Sequence, residues 1–174
     1  MPGSALRSDL LSPLASLLRA KLREHDAVLM TVAYKGAQTY TGHVQKVYSR
    51  RFEGPSAYDA GPLEFAGAPG TFGDVTLKDG ETALVFLRFI SKSARYYQAP
   101  WHGHFSVVHR DGALLAIANW ALLDARGSEW GPDYLRKGAF MVDPEKPWRV
   151  AMPFALLEQH LTEELELLNG AAST

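Results

Sequence analysis

His102 and His104 stand two residues apart in the stretch "WHGHF". On a regular strand that spacing turns both imidazoles to one face, where the pair could chelate a divalent ion. A carboxylate and a further imidazole would have to complete such a site, and the nearest candidate is His109. Strand parity sets His109 with Gly103, Phe105 and Val107, on the face opposite the pair. Because Phe105 and Val107 are apolar, their face is the expected interior. His102, His104 and Ser106 are then expected to point outward, as surface or hydrogen-bonded side chains. A metal-dependent enzyme built on His102 and His104 stands as the alternative.

A second constellation precedes the histidines. In "RFISKSARYYQAPW", Arg88, Lys92 and Arg95 alternate with Phe89, Tyr96, Tyr97 and Trp101. Cations interleaved with aromatics are what stacking on single-stranded bases requires. Lys46, Arg50 and Arg51 would add charge if they lie nearby. Tyr, Trp and Arg are equally the usual anchors of protein interfaces, and the net charge of −1 gives no broadly basic surface. A protein partner is therefore the expectation, and a nucleic acid the weaker alternative. The expected contact residues are Arg95, Tyr96, Tyr97 and Trp101, joined by Tyr58 and Phe65 from the Gly- and Pro-rich stretch 53–73. A loop of that length inside a compact domain is either functional or disordered.

Other catalytic signatures are missing from the sequence. There is no G-x-S-x-G elbow, no phosphate-binding Gly-rich loop, no H-E-x-x-H and no G-x-G-x-x-G. Asp133, Asp143 and Glu145 fall in turn-rich sequence and read as turn formers. No feature asks for a cofactor. The chain contains no cysteine, which removes disulfides, thiolate metal sites and a thiol nucleophile. That composition fits a reducing compartment, and the cytoplasm is the expected location. No apolar run approaches the length of a membrane span.

These residues need a scaffold, and the periodicity supplies one. "SPLASLLRAKLRE" predicts an opening helix with Leu14, Leu17, Leu18 and Leu22 in one stripe. "PFALLEQHLTEELELLNG" predicts a closing helix over about 153–169, with Leu157, Leu161, Leu165 and Leu168 inward and Gly170 as the stop. Between them, "AVLMTVAY", "TYTGHVQKVY", "FGDVTL", "TALVFLRFI", "GHFSVVH" and "ALLAIANWALL" are strand-like. Asp79-Gly80 and Asp111-Gly112 mark hairpin turns, and Gly42 suggests a bend or bulge.

Several of these pieces resemble the OB-type barrel of netrin-like and TIMP-like domains. The residues that carry the likeness are Tyr40, Thr41, Val44 and Val47, then Leu77, Gly80, Glu81, Leu84, Val85, Phe86 and Leu87, then Gly103, Phe105 and Val107. The resemblance spans about residues 26–117 and implies a fold. Secreted members of those families depend on cysteine pairs and an N-terminal Cys, so protease inhibition is not carried over to this chain.

The resulting expectation is a single α+β domain over 1–174, with residues 1–11 a candidate for disorder. A five- to six-stranded antiparallel OB-like β-barrel occupies about 26–123, and a helix from each end packs on it. The expected role is a non-enzymatic interaction module of adaptor or immunity type, with no membrane partner.

Overall fold

The computed structural model describes residues 12–67, 77–100, 103–119, 141–142 and 149–172. They form an α+β structure divided into two compact units. One is Lys21–Val107; the other combines the described parts of Met1–Ala20 and Val108–Thr174.

The first unit is a closed barrel. Strands β1 (Asp26–Gly36), β2 (Thr39–Val47), β3 (Leu63–Ala66), β4 (Thr82–Ile90) and β5 (Arg95–Gln98) follow the order β1-β2-β3-β5-β4, and β4 pairs back onto β1. All these pairings are antiparallel except β3–β5, which joins Phe65 to Tyr96 and Ala66 to Tyr97 in parallel. Strand β6 (His104–Arg110) adds to β4 through Thr82–Val107, Ala83–Ser106, Leu84–Phe105 and Val85–His104.

Alternation fills the interior. Val28, Met30 and Val32 of β1 face inward with Ala83, Val85 and Leu87 of β4, and meet Tyr40, Leu63, Phe65, Tyr58 and Tyr96 in one core. Phe65 is fully buried, and burial of this kind contributes about 2–3 kcal/mol. Its ring stacks on Tyr40 at 5.3 Å. Gly42 pairs with Val32 in regular ladder register, so the bend expected there is absent. A Cβ at this position would run into the Met30 sulfur. Close packing, not a bulge, accounts for the glycine.

In the second unit, α1 (Ser12–Leu22) buries Leu14 and Leu18 and leaves Leu17 half-buried. Leu22, the last residue of α1, belongs to the first unit and is buried there. Strand β6 turns at Asp111 and Gly112, with φ of 50° and 77°, into β7 (Ala113–Asn119). Strand β9 (Arg149–Pro153) pairs with β7 and with the short β8 (Met141–Val142). Helix α2 (Phe154–Ala172) packs on β7 and β9 through a face that includes the fully buried Leu157 and Leu161. It runs past Gly170, so the stop expected there does not operate. No described helix is long and apolar enough to cross a membrane.

Candidate functional site

The described residues of both sequence constellations fall on β4, β5, β6 and the turns beside them. The turn 91–94 is closed by Ser93 N–H to Ile90 O and Ala94 N–H to Ser91 O, each 3.2 Å. From Gln98 to His104 the chain advances six positions while its partner, from Leu87 to Val85, advances two. Phe86 closes the base of this four-residue excursion: its carbonyl accepts from Ala99 N–H and its N–H donates to Gly103 O, both at 2.9 Å. A side chain at Gly103 would strike the Ala99 carbonyl, which explains the glycine.

Directly opposed residues share a face of the sheet. His104 and Ser106 therefore share the face of Val85 and Ala83, which is the barrel interior. Both are 8% exposed, and His104 Nδ1 lies 2.8 Å from Gln98 Nε2. This corrects the expectation that they look outward. Phe105 is buried as well, on the opposite face, edge-on to Phe86. Strand parity implies one wet face, whereas His104 to Val107 of this strand are covered on both. The separation from His109 holds, since that residue is exposed and of opposite parity. His102 and Trp101 lie outside the described residues.

The stretch from Ser49 to Asp59 is anchored by one carboxylate. Asp26, at the start of β1 and fully buried, accepts from Ser49 Oγ (2.9 Å), from the N–H groups of Arg51 and Phe52 (both 2.8 Å) and from Tyr58 Oη (2.6 Å). Tyr96 Oη donates to Ser56 O at 2.6 Å and accepts from Gly54 N–H at 2.7 Å. Burial, followed by the hydrogen bond and charge of Asp26, holds the Tyr58 hydroxyl far above its ordinary range. Burial also raises Tyr96. Arg50 bridges Glu53 and Asp59 at 2.6 Å each, and its hydrogen bond draws Asp59 down.

Tyr58, Phe65 and Tyr96 are thus core residues, 0%, 0% and 4% exposed. None is a surface anchor: all three fill the core, the Tyr58 hydroxyl is held by Asp26, and the Tyr96 hydroxyl ties down the backbone at Gly54 and Ser56. Of the 53–73 stretch, 53–67 lies among the described residues and 68–73 lies outside them. The described part contains β3, where Leu63 and Phe65 turn inward and Glu64 outward. That alternation was the signal in the sequence.

What faces outward on the hairpin is Arg88 opposite Tyr97 and Ile90 opposite Arg95. Arg95, Lys92 and Ile90 are exposed, and Arg88 and Tyr97 are half-buried. Among the described residues no ion pair engages the side chains of Lys92 or Arg95. The guanidinium groups of Arg51 and Arg88 sit 5.5 and 5.6 Å from the centre of the Phe52 ring. Such an arrangement can offer cations and one apolar side chain to a visiting molecule. No family model, characterised protein or solved structure matches the chain.

Proposed function

We propose that this chain is a non-enzymatic binding module on an OB-type barrel, engaging a protein partner in the cytoplasm in the manner of an adaptor or immunity protein. The OB assignment is supported by the strand order: a closed five-stranded barrel with the fifth strand threaded between the third and fourth, as in Greek-key OB barrels. The netrin-like and TIMP-like resemblance agrees with it, since its residues fall on β2, on β4 with the turn before it, and on β6 with Gly103 just ahead of it.

One observation carries the functional reading. Several buried polar groups of this unit hold the fold together: Asp26 takes up Ser49, Tyr58 and the N–H groups of Arg51 and Phe52, Tyr96 binds the backbone at Gly54 and Ser56, and Gln98 binds His104. The exposed Ile90, Lys92 and Arg95, in contrast, stand on a hairpin fixed by its own hydrogen bonds, and among the described residues no hydrogen bond or ion pair engages the Lys92 and Arg95 side chains. Apolar and cationic side chains on a rigid element are the raw material of an interface.

The test is a photo-crosslinking amino acid at Ser93, introduced in the native host, with the same group at the exposed Gln45 of β2 as control. A reproducible protein adduct from position 93, absent from position 45, supports the reading. Adducts indistinguishable between the two positions, or nucleic acid alone at position 93, defeat it.

A further inference from the structure

Charge is unevenly distributed along this chain. It carries 18 basic and 19 acidic residues, yet the stretch 82–110, which includes β4, β5 and β6, holds Arg88, Lys92, Arg95 and Arg110 and no Asp or Glu. On the neighbouring β3, Glu64 faces outward beside the Phe65–Tyr96 pair, but no ion pair among the described residues joins it to Arg95. The hairpin itself therefore presents cations and no carboxylate, with Glu64 the acid on the strand beside it. Ile90 lies opposite Arg95 on the outer face and is 37% exposed.

From this we infer that the outer face of the β4–β5 hairpin receives an acidic protein segment bearing an apolar side chain; the inference rests on the binding-module reading above. Carboxylates of the segment pair with Lys92 and Arg95, and its apolar residue covers Ile90. The turn is fixed by its own hydrogen bonds, including Ser93 Oγ to Ile90 O at 3.3 Å, so the protein side loses little freedom on binding. Single-stranded nucleic acid has the same charge but needs free ring faces. Here Tyr96 is in the core, Phe89 packs against that core, and Phe52 is flanked by two guanidinium groups. Among the described aromatic residues of the hairpin this leaves Tyr97 on the outer face, half-buried, which favours carboxylates over bases.

The experiment is an NMR titration of isotope-labelled full chain with a short synthetic peptide of Asp and Glu flanking one leucine. Its Lys-substituted analogue and an oligothymidylate serve as comparisons. The expected result is amide shifts confined to the neighbourhood of 88–97 with the acidic peptide only. Affinity should weaken about tenfold in the Lys92→Glu/Arg95→Glu double variant, the loss expected when rim charges are reversed. An unchanged amide spectrum away from the hairpin shows that this variant is folded. No shifts at low salt, or tighter binding of oligothymidylate at the same amides, overturns the acidic-segment inference. If the peptide fails while the Ser93 crosslinker still captures a protein, the module stands and only the acidic chemistry falls. If both fail, both readings fall.

Discussion

The phenolic oxygen of Tyr58 donates to Asp26 Oδ2 at 2.6 Å, across 32 positions of the chain. Both residues are fully buried. Asp26 opens β1 and pairs with Leu87 of β4, so this bond fastens the 49–59 stretch to the closing seam of the barrel.

Replacing Asp26 with Ala leaves Ser49, Tyr58 and two backbone N–H groups without their acceptor. A loss of about 4 kcal/mol is expected, because each stranded buried donor costs desolvation that it no longer recovers. Tyr58→Phe removes one charged-acceptor bond and should cost about 2 kcal/mol. Urea unfolding of the two variants checks the order, and equal losses would contradict it.

Acid should weaken the barrel through His25. Burial first, then the charges of Lys21 and Arg88, lower its pKa to about 4, against the ordinary 6.5; the Lys21 backbone carbonyl and the Glu24 carboxylate oppose this only in part. The depressed value means that the unfolded chain takes up the proton before the folded one does. His25 therefore carries no penalty above pH 6.5, and stability is lost as pH falls from there toward 4. Unfolding midpoints recorded across that window should show the decline in the native chain and a shallower one in His25→Gln.

Turn chemistry between β1 and β2 is open to improvement. Ala37 and Gln38 have φ of 50° and 58°, both in the left-handed region that a two-residue hairpin of this hand demands. Exchanging the pair for Asn-Gly should raise stability by about 1 kcal/mol. Thermal unfolding measures it, and a destabilised product would contradict the assigned turn.

In the second unit, Arg19 grips the buried Glu164 with two bonds, Nε to Oε2 at 2.9 Å and Nη2 to Oε1 at 3.1 Å. Arg19→Ala strands that carboxylate and should cost about 2 kcal/mol, less than for a fully buried pair because the arginine is half-exposed. Pairing it with Glu164→Leu should recover most of the loss. A double-mutant cycle reads the coupling.

Much of the frame was legible in the sequence. The leucine stripes of both helices and the Asp111-Gly112 turn all occur where the pattern put them. The short strands β3 and β5 did not stand out, since four residues give too little alternation to compete with neighbouring Gly, Pro and charge. The Ala37-Gln38 turn carries no turn residue at all, and only tertiary pairing holds it there. The site was harder to read. Aromatic residues beside cations look alike whether they line a surface or a core, and only the partner strands tell them apart. Tyr96 opposite Phe89 is inside; Tyr97 opposite Arg88 is outside.

Phe86 staples both ends of the excursion between Gln98 and His104: its carbonyl holds Ala99 as the chain leaves and its N–H holds Gly103 as the chain returns. A proline at position 86 would remove the N–H and with it the bond to Gly103, while the carbonyl could still hold Ala99. One residue of β4 thus governs the two sides of the gap separately.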